Sequence, residues 1–390
     1  MRLLVSFVGG TGHFLPLVPP ARAAAAAGDP VLVTGQSAML PVVAAAGFTA
    51  VDSGGRTLAD PAARRPLAPV NRAAEAAVIS DVFAGRIARG RAIRLIEIGR
   101  SWRPSVILHD EVDFGAAIAA DVLGVPRVEL VVLPAGGTVD RDRLASSVAR
   151  TGAAFGLPNG PRAATLTLEP APPSFRDPAD PLTGTVRRVR PAALEVPLDE
   201  PDPASSRVLD WLDRFPDRPV VWLTLGTIFH QESGDLFSRM TAGLSRLDAS
   251  VVVTVGRELD PAELGPTPPH VRVERFVPQQ FLLPRCDLVA CHAGSGSVLG
   301  ALAFGVPMLL VPMGADQPAN ADRCAGLGVA TVLDPLRLTP GQVAGAARAV
   351  LQDPRFRAAA QPWRDACAAL PTAADAVGWI RELTRHSSGS

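Results

Sequence analysis

The sequence predicts an α/β protein with two domains, each built on an open parallel sheet. Its 390 residues exceed what a single core usually serves. Short β-like runs alternate with helical runs in both halves, the pattern of parallel strands joined by crossover helices. A proline-rich and acidic stretch over 170–219 separates the two series. We therefore expect one domain over 1–200, a linker over 201–218 and a second domain over 219–370.

The first half opens with an apolar strand, Leu3–Val8, followed by a helix near 16–27. Further strands are predicted in the runs PVLVTG, SVILHD and PRVELVVL, with the helical run GAAIAADVLG between the last two. The stretch over 52–72 reads as a loop, and that over 134–165 as mobile loops or a short helix.

The second half predicts six strands, in the runs PVVWLTLG, SVVVTVG, HVRVERFV, DLVAC, VPMLLVP and VATVL. Residues 371–390 are expected to form a helix that crosses back to the N-terminal domain, followed by a disordered tail. Because ligands of such sheets bind beyond the carboxyl ends of the strands, two of these domains are expected to face each other across a cleft.

Composition excludes several kinds of chemistry. All 38 basic residues are arginine and tyrosine is absent, so no P-loop lysine, Schiff-base lysine or tyrosine acid is available. A formal net charge of +0 gives no electrostatic footprint for nucleic acid.

The cysteines and the uncharged stretches favour a soluble, cytoplasmic protein without stable membrane association. Cys286, Cys291, Cys324 and Cys367 show no CxxC spacing and are expected to be reduced core residues. Residues 293–315 lack charge but contain glycines and prolines, which favours a buried helix and strand over a membrane span.

The stretch GGTGHFLPL places His13 just after the first strand. The imidazole could close a turn, lie beside a phosphate or accept a proton, a role for which imidazole groups in general are suited near neutral pH. Asp110 ends a strand of the same domain and could orient the ring, with His109 and Asp113 as nearby alternatives.

The stretch HAGSGSVLG predicts a phosphate cradle between a strand and a helix that starts near Ser297. Gly294 and Gly296 permit close approach, Ser295 and Ser297 offer hydroxyls, and His292 adds a donor.

Further polar residues follow neighbouring strands. Asp316 and Gln317 come after VPMLLVP, where a carboxylate and an amide could hold ligand hydroxyls. Residues 276–279 form a loop on which a planar base could pack, and Thr227 follows the first strand of this domain.

The motifs GTGHFLPLVPPARA, TLGT, FVPQ, HAGSGSVLGALAFGVP and GADQPANADR together span both domains. In this combination the chain resembles GT-B nucleotide-sugar glycosyltransferases of the bacterial antibiotic and natural-product type, and more distantly plant secondary-product enzymes. The plant-type tryptophan and asparagine are missing, and Ser297 stands where threonine is common.

The resemblance implies a role for each motif residue. For the donor, it places Thr227, His292, Gly294, Gly296 and Ser297 at the diphosphate, Asp316 and Gln317 at the sugar, and Val277 and Gln279 at the base. Ser295 and Phe276, beside these residues in the sequence, are further donor-binding candidates. It makes His13 the general base and Asp110 its partner. For the acceptor it implies a lipophilic hydroxyl compound. Residues near 52–72, 81–97 and 134–155 are expected to line that site, with Gly12, Phe83, Phe114 and Phe155 as candidates, and core packing would explain each phenylalanine at least as well.

The implied reaction is a single inverting displacement, with a dTDP-deoxysugar favoured as donor and a UDP-sugar next. It requires no metal and no cofactor, and the DRD run at Asp140–Asp142 is read as a solvated turn. Both partners are small molecules, and a homodimer is possible.

Three alternatives stay open. A dinucleotide oxidoreductase would use GGTGHF or GSGSVL, but Leu15 and Leu299 stand where the last glycine belongs. A nucleotide-sugar epimerase would keep the fold, and a non-catalytic partner protein would keep it without the chemistry.

Overall fold

The computed structural model describes residues 1–55, 66–196, 201–226, 233–256 and 259–386. It divides into two compact units. The first contains the described residues of 1–58, 71–195 and 370–390, and the second those of 59–70 and 196–369.

The first unit is built on a seven-stranded sheet in which every strand pairing is parallel. Its strands are β1 (Leu3–Ser6), β2 (Val31–Gly35), β3 (Ala50–Asp52), β4 (Val106–Asp110), β5 (Arg127–Leu130), β6 (Leu166–Glu169) and β7 (Val186–Arg188). The order β3-β2-β1-β4-β5-β6-β7 reverses direction between β1 and β4, so the crevice expected for a ligand opens at their carboxyl ends.

Helices cover both faces of this sheet. They are α1 (Thr11–Phe14), α2 (Val18–Ala26), α3 (Leu40–Ala45), α4 (Arg72–Ala77), α5 (Ala88–Trp102), α6 (Phe114–Leu123), α7 (Arg141–Ala153) and α8 (Ala192–Glu195). Short 3-10 turns occupy Leu15–Leu17 and Ser37–Met39, and a ten-residue π-helix, Val78–Ile87, joins α4 to α5.

The second unit repeats the architecture with six parallel strands. These are β8 (Val220–Thr224), β9 (Ser250–Thr254), β10 (Val271–Glu274), β11 (Leu288–Cys291), β12 (Met308–Leu310) and β13 (Ala330–Val332). Their order is β10-β9-β8-β11-β12-β13, with the reversal between β8 and β11.

The helices of the second unit are α9 (Pro203–Leu212), α10 (Leu236–Leu244), α11 (Gln279–Leu282), α12 (Ser295–Ala303), α13 (Gln317–Gly326), α14 (Pro340–Gln352) and α15 (Pro354–Ala368). Short 3-10 turns lie at Pro261–Leu264 and Leu283–Arg285.

The last helix, α16 (Ala373–His386), packs on α2 of the first unit. Its apolar face joins the core of that unit through Ala376, Val377 and Ile380. The Arg381 guanidinium donates to Asp29 Oδ2 at 3.1 Å through Nε, which fixes the helix beside the loop before β2. The predicted tail from residue 387 lies outside the described residues.

Every strand expected from the apolar runs forms, but three others were not predicted. β3 and β7 have three residues each, and β6 has four. Runs this short carry too little pattern to separate them from loop.

Two segments differ from the sequence-based expectation in content. The stretch 134–165 contains the thirteen-residue helix α7. The expected linker 201–218 contains α9, whose first turn is capped by Asp202, and it belongs to the second unit. Proline and acidic residues at a helix start resemble a linker in sequence, but they are also good N-terminal capping residues.

Burial agrees with the expected character of the uncharged stretch and the cysteines. Residues 293–315 include α12 and the buried strand β12, as predicted. All four cysteines are unpaired and buried, and burial raises the pKa of Cys291 and of Cys367 to about 12. No helix in the described part of the chain is both long and apolar enough to span a membrane.

Candidate active site

His13 and Asp110 come together at the carboxyl edge of the first sheet. His13 lies in α1, and Asp110 is the last residue of β4. Their Nδ1 and Oδ1 atoms are 3.6 Å apart, an ion-pair distance that is longer than a hydrogen bond. The Asp110 side chain is fully buried, whereas 23% of the His13 side chain is exposed. The pair therefore joins an inaccessible carboxylate to an imidazole that a ligand can reach.

Backbone contacts hold both members of this pair. Asp110 Oδ2 accepts the N–H of Val8 at 2.8 Å, and Oδ1 accepts that of Val112 at 2.9 Å. Gly9 has φ +111°, and a Cβ there would lie 2.8 Å from Cδ2 of His13. Glycine at this turn therefore allows the imidazole to pack on the backbone between β1 and α1.

The two alternatives to Asp110 are engaged elsewhere. Asp113 forms a buried ion pair with Arg91, with Nε–Oδ1 at 2.9 Å and Nη2–Oδ2 at 2.5 Å, and it accepts the Ser6 hydroxyl at 2.7 Å. His109 is buried, with Nδ1 2.7 Å from the Asp110 carbonyl oxygen and Nε2 3.2 Å from Nη1 of Arg127. Asp110 is thus the candidate that faces His13.

The Arg91–Asp113 pair joins three segments behind the histidine. Burial alone would raise the pKa of Asp113, but the charge and hydrogen bonds of Arg91 and the Ser6 hydroxyl outweigh it and lower that pKa. Arg91 also donates to the Ser6 hydroxyl at 2.9 Å and to the Gly54 carbonyl at 3.0 Å. The end of β1, the start of α6 and the loop after β3 are therefore fixed to one guanidinium. Sequence reasoning missed Arg91, because one arginine among 38 carries no local signal.

Burial raises the pKa of Glu111, the residue after Asp110, to about 7, with a further contribution from Glu129. Its Oε1 accepts the backbone N–H groups of Val132 and Leu133, so the carboxyl also holds the loop after β5.

An apolar wall adjoins His13. The ring of Phe83 lies nearly parallel to the imidazole, with a 20° interplanar angle and 6.4 Å between centroids. Phe83 belongs to the π-helix, a distortion often found at functional sites. It packs with Phe114 against the buried cluster of Val8, Ile87 and Val112.

The other two acceptor candidates differ in position. Gly12 is exposed in α1, and a Cβ there would meet no atom within 4 Å. Phe155 is partly buried and packs against a separate core that includes residues of α5 and α6. Its place in the acceptor wall stays a prediction. A phenylalanine in an unpatterned stretch is as compatible with core packing as with a binding wall.

His292 occupies the corresponding edge of the second sheet. Its ring lies against two glycines: a Cβ at Gly226 would be 2.6 Å from Cε1 and from Nε2, and a Cβ at Gly294 would be 2.9 Å from Cε1. Gly294 is the N-cap of α12, so the histidine lies beside the first turn of that helix. A Cβ at Gly296 would meet no atom within 4 Å, which leaves open space at this helix start.

The polar residues after β12 form a network with the start of α12. The Ser295 hydroxyl donates to Asp316 Oδ2 at 2.5 Å, and Asn320 Nδ2 donates to the same oxygen at 2.7 Å. Gln317 is buried, and its Oε1 accepts the N–H groups of Met313 at 2.7 Å and Gly314 at 3.3 Å. Gln317 therefore supports the loop that carries Asp316. Sequence reasoning did not assign Asn320.

The residues predicted to hold a base differ in exposure. Phe276 is 38% exposed, whereas the Val277 side chain is buried. Gln279 begins α11, and its Oε1 would lie 2.9 Å from a Cβ at Gly300. Ser297 is partly exposed in the first turn of α12. Thr227 lies outside the described residues.

The DRD run is part of a helix start rather than a turn. Asp140 is the N-cap of α7 and accepts the Arg143 N–H at 3.0 Å. Among the residues that the structure describes, no three His, Cys, Asp or Glu side chains are grouped to hold a metal ion.

Comparison with known proteins places this chain in a family. Residues 238–383 match the model of the erythromycin biosynthesis protein CIII-like C-terminal domain. The whole chain is 30% identical to tylactone mycaminosyltransferase of Streptomyces fradiae and covers 94% of that protein. The chain belongs to the bacterial antibiotic glycosyltransferases.

Two further relatives agree with this membership. The elloramycin glycosyltransferase ElmGT of Streptomyces olivaceus is 33% identical over 96% of this chain and 95% of its own length. The structure of the glycosyltransferase VinC in complex with dTDP is 26% identical, with a TM-score of 0.77 over 99% of this chain and 100% of that one. The predicted GT-B fold with two Rossmann-like domains and the predicted glycosyl transfer are confirmed, and the oxidoreductase alternative is set aside.

Proposed function

We propose that this glycosyltransferase moves a sugar from a nucleoside diphosphate sugar to a hydroxyl of a lipophilic natural product, with inversion at the anomeric carbon. The observation that carries the proposal is the 3.6 Å approach of His13 Nδ1 to the buried carboxylate of Asp110. An imidazole oriented by a carboxylate on one side can accept a proton on the other.

In the proposed step the acceptor oxygen attacks the anomeric carbon as its proton passes to Nε2 of His13. The bond from that carbon to the diphosphate oxygen breaks, and the nucleoside diphosphate leaves with the electron pair. One displacement inverts the configuration and forms no covalent sugar–enzyme intermediate. Asp110 stabilises the imidazolium, whose charge would otherwise be costly beside a buried strand end.

The leaving diphosphate is assigned to the second unit. The N-terminus of α12 offers backbone N–H groups and the positive end of the helix dipole, and Gly294, Gly296 and Ser297 lie in that cradle. His292 is packed beside it as a further donor. Since these groups can take up the leaving charge, the proposal includes no metal ion or cofactor.

The rest of the donor is assigned by its chemistry. The Asp316 carboxylate would accept sugar hydroxyls, with Gln317 and Ser295 fixing its surroundings. Phe276 is exposed and could cover a planar base, with Val277, Gln279 and Thr227 beside it. The dTDP complex of the related VinC supports dTDP over other nucleotides, and a UDP-sugar is the second choice.

The acceptor is assigned to the apolar wall beside His13. Phe83 and Phe114 pack there on Val8, Ile87 and Val112, and Phe83 lies next to the imidazole. A lipophilic ring system would be held on this wall by the hydrophobic effect, with its hydroxyl directed to Nε2.

Titration calorimetry with dTDP, UDP, GDP and NAD, all in EDTA, tests the donor assignment. We expect dTDP to bind most tightly, UDP more weakly, and GDP and NAD least. Binding of NAD alone would contradict the proposal, as would binding of dTDP only after a divalent metal is restored.

A further inference from the structure

Two alanines at the carboxyl edge of the second sheet have left-handed backbone conformations. Ala293 follows β11 with φ +68°, and Ala315 follows β12 with φ +52°. A Cβ makes this region unfavourable, and residues remain there only where their surroundings hold them. Ala293 directly precedes the N-cap of α12, so the direction of the first N–H groups of that helix depends on it.

Asn320 holds the turn at Ala293. It is fully buried in α13, and its Nδ2 donates to the Ala293 carbonyl oxygen at 2.9 Å. The same NH₂ group lies 3.1 Å from Ser295 Oγ and 2.7 Å from Asp316 Oδ2. One amide thus connects the left-handed turn, the first residue of α12 and the carboxylate assigned to the sugar.

The hydrogen-bond partners fix the orientation of this amide. A carbonyl and a carboxylate can only accept, so the NH₂ group, not the oxygen, must face them. Asn320 Oδ1 is buried and has no hydrogen-bond partner among the described residues. The hydrogen bonds that Asn320 makes at this edge are therefore all donated by its NH₂ group.

We propose that Asn320 is a positioning residue for the donor. Its amide keeps Ala293 in the left-handed region, which directs the N–H groups of α12 toward the diphosphate, and it orients Asp316 toward the sugar. This inference rests on the proposed function of the same edge. It requires no contact between Asn320 and the donor.

The two parts of the role can be separated. The turn at Ala293 should affect the affinity for a nucleoside diphosphate that carries no sugar. The bond to Asp316 governs the additional affinity that the sugar provides. A general packing defect would instead weaken both affinities together, whatever residue stood at position 293.

The test is a double-mutant cycle between Asn320→Ala and Ala293→Gly. Glycine enters the left-handed region without the Cβ penalty, so it needs the amide less. The readouts are the Kd of dTDP from calorimetry and the KM of a dTDP-sugar that the wild type turns over.

We expect Asn320→Ala to raise the Kd of dTDP about tenfold in the wild-type background, the loss typical of a buried hydrogen bond. In the Ala293→Gly background the same substitution should raise it by less than about threefold. The KM for the donor sugar should remain raised in both backgrounds, because glycine does not restore the bond to Asp316. Equal losses of dTDP affinity in both backgrounds would overturn the proposal.

Thr241→Ala is the matched control, because Thr241 is a buried polar residue of α10 outside the α12 cradle. It should leave the Kd of dTDP unchanged.

If Asn320→Ala does not fold, Asn320→Asp is the second variant, because it keeps the shape of the side chain and removes the NH₂ donors. It should raise the Kd of dTDP at least as much. If the wild type binds no nucleoside diphosphate, the proposed function fails; if it binds dTDP and Asn320→Asp binds equally well, only this inference fails.

Discussion

The carboxyl edges of the two sheets each carry a histidine packed on glycine, but they are supported differently. His13 faces the buried carboxylate of Asp110, and the ion pair of Arg91 and Asp113 lies behind it. His292 lies between Gly226 and Gly294, next to a turn held by the neutral amide of Asn320. The first edge relies on buried charge, which suits a group that gains a proton. The second relies on backbone conformation, which suits a cradle of N–H groups.

Removing one charge behind His13 should have the largest effect on stability. Arg91→Met leaves the Asp113 carboxylate buried without its partner, and we expect a loss of about 3–5 kcal/mol in the free energy of unfolding, measured by urea denaturation. Arg143→Met is the control, because its pair with Asp81 is exposed and should matter little. Equal stability of Arg91→Met and the wild type would contradict the charge-based account of this edge.

Asp110→Asn tests the charge that faces the imidazole. The amide keeps the size of the carboxylate but cannot stabilise an imidazolium, so we expect kcat to fall about 100-fold, or about 2.7 kcal/mol. The Kd of dTDP should not change, because the donor is assigned to the other unit. A wild-type kcat would move the partner role away from Asp110.

Glu111, at the first edge, should make the free energy of unfolding depend on pH. Burial raises its pKa to about 7, so the folded state holds a proton that the unfolded state releases near pH 4.5. The unfolded state therefore binds fewer protons over this window, and stability falls as the pH rises through it. We expect Glu111→Gln to remove a decline of about 2 kcal/mol between pH 5 and pH 8 in urea denaturation. An identical decline in the variant would exclude Glu111 as its source.

Two glycine substitutions, with the smallest expected effects, compare the roles of the two sheet edges directly. Gly9→Ala should displace His13 and lower kcat about tenfold, whereas Gly294→Ala should displace His292 and raise the Kd of dTDP about tenfold. Gly345→Ala, in the open interior of α14, should change neither. If both edge variants shifted the same parameter, the division of roles between the edges would be wrong.

The sequence was most informative where a short, continuous stretch of residues determines the local structure by itself. The strands before His13 and His292 could be predicted because apolar runs end directly in glycine-rich turns. The start of α12 was predicted within two residues, but the short helix α1 that contains His13 was not, since the expected helix began near residue 16. Asp110 could be proposed because it ends such a run.

The supporting groups could not be predicted in this way. Arg91 reaches Asp113 from another helix, and Asn320 reaches Ala293 across 27 positions of the chain. The left-handed conformation of Ala293 is also hidden, because the neighbouring Gly294 and Gly296 are the residues that the sequence suggests for such a turn. These contacts depend on how the elements pack, which one sequence does not report.

The most direct test of the account is His13→Ala, measured with a donor and acceptor that the wild type turns over and with dTDP alone. Loss of the general base should lower kcat about 1000-fold, and the Kd of dTDP should match the wild type because the cradle is untouched. A fall in kcat of this size, together with an unchanged Kd of dTDP, would assign proton transfer to His13. Turnover within about tenfold of the wild type would contradict the assignment, since a positioned base contributes more than that.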